Sequence, residues 1–166
     1  MRLAQALGDA AASIEHIGST SIPGILAKPI IDILIESPSL AAIDSCNTQM
    51  RALGYEVMGE FGIESRRYFR KSDPSGHRSH HIHTFATGSP HLLRHLAFRD
   101  YLIAHPERAK AYSKLKERIT HANKVQTEEY SRLKSPFIKQ VEAEALKWAT
   151  RDAHSEPTHP QDQPRP

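Results

Sequence analysis

Residues 15–36 read EHIGSTSIPGILAKPIIDILIE and contain the pattern that decides the fold. A short strand-like segment ends in a turn at Gly18, and an aliphatic run, residues 30–36, then alternates its side chains between two faces. Because both faces are mostly aliphatic, this run is expected to lie inside a sheet. Asp32 interrupts the run, and a carboxylate taken out of water is costly unless it is paired, hydrogen-bonded or bound to a metal. Asp32 is therefore the first candidate functional residue.

The composition predicts one soluble globular domain. The chain has 166 residues, of which 39% are hydrophobic and 25% charged, and a single cysteine excludes an intramolecular disulfide framework. No apolar stretch is long enough to span a bilayer, and the N-terminal residues lack the pattern of a secretory signal. We therefore expect a cytoplasmic protein with no membrane partner. Residues 1–150 are predicted to form the domain, and the proline-rich residues 151–166 a disordered tail.

Strand signals occupy the first half of the chain and helix signals the second. The segments RRYFRK (66–71) and HHIHTFA (80–86) flank a turn sequence and predict a hairpin, and a helix is expected over about residues 40–53. Proline at the first helical position predicts three further helix starts, at Pro90, Pro106 and Pro136. The order favours a mixed β-sheet followed by a helical C-terminal part, an α+β or α/β-like fold.

The Gly18 turn resembles a phosphate-binding signature. Its spacing to Lys28 does not match the Walker A motif. Gly18-Ser19, twelve residues and then Asp32 instead resemble the nucleotidyltransferase arrangement, in which a Gly-Ser turn is followed by a strand with a metal-binding acid. A glycine turn lets backbone N–H groups approach a phosphate, and a carboxylate can hold Mg²⁺ against it.

A closer resemblance covers about residues 13–140. The blocks EHIGSTSIPGILAKPIIDI, RRYFRK, HHIHTF and FRDYLIAHPERAKAYSKLK are similar to the signature blocks of the GrpB family. The resemblance implies a nucleotidyltransferase-like fold and, since some members are fused to dephospho-CoA kinase, a link to coenzyme A metabolism. It also suggests Arg67 and Lys71 as phosphate-binding residues, because both match the family block.

The second carboxylate of the transferase pattern is missing. Leu34 stands where Asp-x-Asp or Asp-x-Glu enzymes have their second acid, and Glu36 lies roughly 13 Å from Asp32 along the strand. His81 and His83 share a strand face and could complete a site with Asp32. A divalent metal ion is therefore expected, Mg²⁺ or Mn²⁺, with Zn²⁺ or Fe²⁺ better suited to imidazole ligands. The alternative is that both histidines rest against phosphate or act as acid and base without a metal.

Three further residues are candidates for phosphate contact. Ser19 and Thr20 could cradle a phosphate or cap a helical turn, and Lys28 could bind phosphate or pair with Asp32. Arg99 is expected to make a structural ion pair to the sheet. The remaining alternative for Asp32 is a structural carboxylate paired with Lys28 or Arg99.

Two functional hypotheses follow. The first is a nucleotidyltransferase-like enzyme or binder acting on a nucleotide or another phosphorylated small molecule, with Asp32, His81 and His83 as catalytic residues. The second is a catalytically silent nucleotide-binding or partner-binding module linked to coenzyme A metabolism. RNA binding through the basic segment 66–83 ranks last, because the sequence has no long basic stripe and no RNA-binding motif.

Overall fold

A five-stranded mixed sheet forms the N-terminal half of the computed structural model, which describes residues 2–122 and 127–152. Its strands are β1 (Ser13–Ile17), β2 (Ile31–Ser37), β3 (Glu56–Val57), β4 (Arg67–Ser72) and β5 (Arg78–Ala86). Their order in the sheet is β1-β2-β5-β4-β3, with β2 and β5 parallel and the other neighbours antiparallel. The predicted mixed sheet, the internal position of β2 and the β4–β5 hairpin are confirmed, whereas the two-residue β3 was not predicted.

Six helices surround the sheet in the described part of the chain. They are α1 (Arg2–Leu7), α2 (Leu40–Ser45), α3 (Asn47–Ala52), α4 (Pro90–Ala104), α5 (Pro106–Ala122) and α6 (Thr127–Asp152). Ser39 caps α2 and Ser89 caps α4 by accepting hydrogen bonds from backbone N–H groups of the first turn. The predicted starts at Pro90 and Pro106 are confirmed.

The predicted helix over residues 40–53 is instead two short helices. They meet at Cys46, whose φ of −86° and ψ of 2° lie outside the helical range. Its N–H bonds to the carbonyl of Ile43, three residues earlier, which tightens the last turn of α2. The Ser45 hydroxyl also donates to the Ala41 carbonyl over 3.0 Å, a contact that competes with the backbone ladder.

The last helix begins before the proline that was expected to open it. Pro136 lies inside α6, which starts at Thr127. An internal proline removes one backbone hydrogen bond and costs about 3 kcal/mol. Packing outweighs that cost, since Val141 and Ala145 of the same helix are fully buried in the helical core. The helix also extends to Asp152, past the expected domain end at residue 150, and residues 153–166 of the predicted tail lie outside the described part of the chain.

Each face of the sheet packs against a different set of helices. One face presents Ile35, Phe69 and Ile82 to a core shared with α1, α2 and α3. The other face presents Asp32 and Leu34 of β2 beside His81 and His83 of β5, as the register of the parallel pair requires. Helix α4 packs on this second face, and α5 and α6 pack against α4. This arrangement leaves an open space beside Asp32.

Arg99 ties α4 to the edge of the sheet, as expected. Its guanidinium donates to the Glu15 carboxylate over 2.9 Å, to the His16 carbonyl over 3.1 Å and to Asp100 over 2.7 Å. The predicted structural role is therefore confirmed, and Arg99 is engaged away from Asp32.

The described helices include no candidate for a membrane crossing, because none is both long enough and apolar enough. Tyr112, Phe137 and Trp148 belong to the core between α4, α5 and α6.

Candidate functional site

The turn after β1 is built against Asp32. Gly18 has a φ of +72° and a ψ of −171°, a conformation that is essentially restricted to glycine. A Cβ atom at this position would lie only 2.4 Å from Asp32 Oδ2. The absence of a side chain therefore lets the turn, and the 3₁₀ segment Ser19–Ser21 that follows it, lie directly beside the carboxylate.

Asp32 is hydrogen-bonded to His81 on the neighbouring strand. The two residues are in register, and His81 Nδ1 lies 3.1 Å from Asp32 Oδ1. A carboxylate accepts hydrogen bonds, so the contact places a proton on Nδ1 and leaves Nε2 as the ring nitrogen that faces other groups. Both side chains keep almost a third of their surface exposed, 29% for Asp32 and 27% for His81. The acid is tolerated in β2 because it is partnered and faces an open space.

That space is a cleft of about 620 Å³ between β2, the segment before it, α5 and α6. We call it the Asp32 cleft. Its charged, histidine and aromatic lining consists of Lys28, Asp32, His81, Lys116, Glu117, Tyr130 and Lys134. Three lysines therefore border the cleft together with two carboxylates. The lining therefore has an excess of positive charge and suits an anionic ligand.

Lys116 is the most constrained of the three lysines. Only 8% of its surface is exposed, and its Nζ has no hydrogen-bond partner among the described residues. The ammonium lies 4.6 Å from the centre of the Tyr112 ring, a cation–π contact. Burial, together with the positive charge of Lys134, lowers the pKa of Lys116 to about 8. A bound anion nearby would stabilise the charged form of this buried amine.

The ammonium groups of Lys28 and Lys134 both lie over the ring of Tyr130 at the cleft. Lys134 Nζ lies 5.0 Å from the ring centre and Lys28 Nζ lies 5.8 Å from it. Burial lowers the pKa of Lys134, the charge of Asp32 opposes that shift, and the charge of Lys28 adds to it. The expected place of Lys28 near Asp32 is thus found, although no ion pair joins the two.

Thr20 holds the turn closed. Its hydroxyl donates to the Ile30 carbonyl over 3.1 Å and accepts from His16 Nε2 over 2.9 Å. Ser19 and Thr20 both border the Asp32 cleft, so the predicted phosphate-contact residues lie at its rim. The hydroxyl proton of Thr20 is already used, and the Ser19 side chain is hydrogen-bonded to Tyr112. A ligand at this turn would therefore bind chiefly through backbone N–H groups.

Arg67 and Lys71 lie on the opposite face of the sheet, and the structure does not bring them to the cleft. They alternate with Tyr68 and Arg70 along β4, and the Asp32–His81 pair is in register with Arg70. Arg67 instead forms a bidentate ion pair with Asp44, at 2.6 and 2.8 Å. Lys71 donates to the Leu53 carbonyl over 2.7 Å. Their assignment as phosphate ligands is therefore corrected to a structural one.

His83 does not join Asp32 and His81 in a three-residue metal site. Within residues 2–122 and 127–152 there is no group of three or more His, Cys, Asp or Glu side chains arranged to hold a metal ion. His83 Nδ1 lies 3.4 Å from the guanidinium of Arg66, a charge that disfavours a cation nearby. Burial, with His95 as the next contributor, lowers the pKa of His83 to about 3, so this ring is neutral.

Several residues around Asp32 were not found from the sequence. Lys116 and Lys134 come from two different helices and have no common motif. Arg94, His95 and Glu142 lie next to His83 on the inner side of α4 and α6. Two signals were present in the sequence: Lys116 is the last residue of the family block 98–116, and the i, i+4 spacing of His91 and His95 places both on one side of a helix.

Known proteins share this fold and much of this sequence. A model of the GrpB protein family matches residues 1–144. UPF0157 protein YqkA of Bacillus subtilis is 45% identical over 147 residues, which cover 89% of this chain and 42% of YqkA. The crystal structure of conserved protein GrpB from Enterococcus faecalis has a TM-score of 0.83 and 42% identity, covering 89% of this chain and 88% of that one.

A third similarity is to a protein named for an activity. A dephospho-CoA kinase of Mycolicibacterium paratuberculosis is 27% identical over 173 residues, which cover 89% of this chain and 42% of the kinase. The chain thus spans less than half the length of this protein and of YqkA.

Proposed function

The chain belongs to the GrpB family, and we propose that it binds a nucleotide or another phosphorylated small molecule in the Asp32 cleft. The observation that carries the proposal is Lys116, which lines the same cleft as Lys28 and Lys134 and whose buried ammonium has no hydrogen-bond partner among the described residues. A cluster of amines is strained by mutual repulsion and by desolvation, and a phosphate relieves both.

The Asp32–His81 pair supplies the groups for proton transfer at such a ligand. Asp32 holds the His81 ring through Nδ1, and the unprotonated Nε2 can accept a proton from a hydroxyl or water near the phosphate. Nucleotidyltransferase-like transfer is the enzymatic form of the proposal, with His81 as the base and the lysines stabilising negative charge in the transition state.

Metal assistance remains a separate prediction. Leu34 occupies the position of the second acid and is buried, and His83 is held beside Arg66. Asp32 and His81 alone do not make the donor set of a resident metal site, so no step of the proposal depends on a metal.

The second candidate is a module that binds a nucleotide or a partner without catalysis, linked to coenzyme A metabolism. It is favoured by the matched segment of the dephospho-CoA kinase, in which a chain similar to this one occupies 42% of a longer protein. In this form the Asp32 cleft binds the ligand and His81 has no chemical role.

Lys116→Met is expected to weaken ligand binding about tenfold or more without harming the fold. Methionine fills a similar volume and removes a buried charge that has no described hydrogen-bond partner, so the ligand-free variant should be as stable as wild type or about 1 kcal/mol more stable. Affinity for inorganic pyrophosphate, ATP or dephospho-CoA should fall by about tenfold or more, which corresponds to about 1.4 kcal/mol. Thermal unfolding with and without each ligand, followed by calorimetric titration, measures both effects.

Lys110→Met is the matched control, because Lys110 is an exposed lysine on the same helix. It should leave affinity unchanged. If none of the three probes binds wild type, or if both variants bind alike, the proposal for this cleft is wrong. Binding of dephospho-CoA with no turnover of any nucleotide would favour the second candidate.

Asp32→Asn separates metal-free from metal-dependent binding. Asparagine is isosteric, and its carbonyl oxygen can still accept from His81. In the presence of a chelator, the variant should bind pyrophosphate a few-fold more tightly, because one negative charge near the anion is removed. If wild type instead needs a divalent ion and the variant loses that dependence together with affinity, Asp32 is a metal ligand and the metal-free form of the proposal fails.

A further inference from the structure

A second, smaller cavity of about 270 Å³ adjoins the Asp32 cleft, and Asp32 borders both. We call it the His95 pocket, and the residues that matter for its chemistry are Asp32, His83, Arg94, His95, Phe98 and Tyr112. Its apolar wall is made of aromatic and aliphatic side chains from β1, α4, α5 and α6. It holds no cluster of free cations, which distinguishes it from the cleft.

Two arginines determine the tautomers of the pocket histidines. Arg66 Nη1 lies 3.4 Å from His83 Nδ1, and Arg94 Nη2 lies 3.3 Å from His95 Nε2. A guanidinium only donates, so each of these ring nitrogens must be the acceptor. The proton of each neutral ring is therefore on the other nitrogen, Nε2 of His83 and Nδ1 of His95.

Because of these protons, the pocket contains N–H donors that have no acceptor among the described residues. No hydrogen bond from His83 Nε2 or His95 Nδ1 is formed within the described residues, and the Nε of Arg94 is buried there without a partner. The charge of Arg94 is balanced by Glu142, whose carboxylate accepts from it over 2.6 Å. The pocket thus offers N–H donors beside the Asp32 carboxylate, with the charge of Arg94 balanced by Glu142, and it suits a ligand that brings acceptors but no charge.

The ring walls specify the shape of that ligand. Phe98 and Tyr112 meet edge to face at 6.0 Å, and His83 and His95 lie 5.5 Å apart with their planes inclined by 36°. Surfaces of this kind favour a flat aromatic group. A planar nitrogen heterocycle has such a face, carries ring nitrogens and carbonyl oxygens as acceptors, and is uncharged near neutral pH.

We propose that the His95 pocket binds the base of a nucleotide whose phosphates lie in the Asp32 cleft. The inference rests on the proposed function, because the phosphates are assigned to the cleft described there. Asp32 borders both spaces, so its carboxylate lies beside the ribose and can accept a hydrogen bond from a sugar hydroxyl. The substrate class is thereby narrowed from phosphorylated small molecules to nucleotides.

The test compares ligands that differ only in the base. Ribose 5-phosphate and the monophosphates of adenosine, guanosine, cytidine and uridine are titrated into wild type by calorimetry. At least one nucleotide should bind about tenfold more tightly than ribose 5-phosphate. In His95→Phe, which keeps an aromatic ring at this position but removes both nitrogens, this ratio should fall below about threefold, while the affinity for ribose 5-phosphate changes by less than about twofold.

His91→Phe is the control, since His91 is on the same helix and does not border the pocket. Ile138→Phe is the second pocket variant, because a larger side chain at this lining position fills the cavity and leaves the arginine contacts intact. This variant replaces His95→Phe in the test if His95→Phe does not fold, as judged by circular dichroism. It should likewise lower the ratio of nucleotide affinity to ribose 5-phosphate affinity. Equal affinity of all four nucleotides and ribose 5-phosphate overturns the inference, as does a ratio that neither pocket variant changes.

Failure of the proposed function has a different signature. In that case ribose 5-phosphate does not bind, and Lys116→Met does not change the affinity for pyrophosphate. The four free nucleosides are then titrated into wild type and His95→Phe. Nucleoside binding that the variant weakens about tenfold supports the base site on its own, and its absence overturns it.

Discussion

Gly18→Ala is expected to destabilise the folded protein by about 3 kcal/mol or more. The residue has a backbone conformation that costs a non-glycine residue about 1–3 kcal/mol. The added methyl group would also lie 2.4 Å from Asp32 Oδ2 and 2.9 Å from Asp32 Cβ, and overpacking of this kind costs about 1–3 kcal/mol. Urea unfolding followed by circular dichroism measures the loss in the free energy of unfolding.

The control is Gly24→Ala, a few residues further along the chain. Gly24 also has a positive φ, +75°, but a Cβ atom there would have no neighbour within 4 Å. Its substitution should cost only about 1 kcal/mol of backbone strain. The difference between the two variants therefore reports the contact with Asp32 together with the greater backbone strain at Gly18. Equal losses for both would show that the turn does not lie against the carboxylate.

Gly18→Ala should also affect the site. Relief of the contact requires Asp32 or the turn to move, which disturbs the Asp32–His81 hydrogen bond and the backbone N–H groups beside it. Under conditions in which the variant is still folded, affinity for pyrophosphate should drop by about tenfold. Gly24→Ala should bind as wild type does.

Acid is expected to destabilise the protein well before its carboxylates titrate. Burial lowers the pKa of His83 to about 3 and that of His95 to about 4, whereas in the unfolded chain both are near the ordinary value of 6.5. Between these values the unfolded chain binds more protons than the folded one, so stability rises with pH and falls as pH decreases through about 6.5. From about pH 7.5 to about pH 5 each histidine should cost about 2 kcal/mol.

The measurement is the free energy of unfolding at several pH values between these limits. His83→Gln and His95→Gln each remove one titrating ring, so the pH dependence should become shallower by about 2 kcal/mol in either variant, whatever its absolute stability. His77, whose side chain is 83% exposed, serves as control, and His77→Gln should leave the slope unchanged. A wild-type profile that is flat down to about pH 5 would contradict the neutral state of the two buried rings.

Carboxylates contribute in a different range. Hydrogen bonds from Arg67 lower the pKa of Asp44, so the stability this ion pair provides is present above the ordinary pKa of the carboxyl and is lost below it. The histidine effect begins near pH 6.5, well above the range in which this carboxyl titrates, so a comparison of pH 7.5 with pH 5 measures the histidines alone.

The local patterns predicted much of the secondary structure because local rules govern it. Proline starts at Pro90 and Pro106, the alternation in β2 and the turn between β4 and β5 all act over a few residues. The early start of α6 was missed because the packing of Val141 and Ala145 compensates for an internal proline, and that packing is not a local property.

The candidate site divides in the same way. Gly18 and Asp32 were identified from the sequence alone, because a glycine at a tight turn and a carboxylate inside an apolar strand pattern each stand out from their neighbours. The pairing of Asp32 with His81 needed the parallel register of β2 and β5, which joins residues 49 positions apart. Arg67 and Lys71 matched a motif but face the other side of the sheet, where Asp44 and the Leu53 carbonyl hold them.

The sequence by itself determined the fold class, the family resemblance, the glycine turn and the acid at the centre of the site. Only the tertiary structure decided what surrounds that acid. Lys116 and Lys134 border the same cleft as Asp32 because α5 and α6 pack against α4 and against each other, and His95 meets His83 because α4 packs against the sheet. The physical reason is that turns and strands follow from bonds and steric contacts between near neighbours, whereas the charge and polarity of a cleft depend on long-range packing.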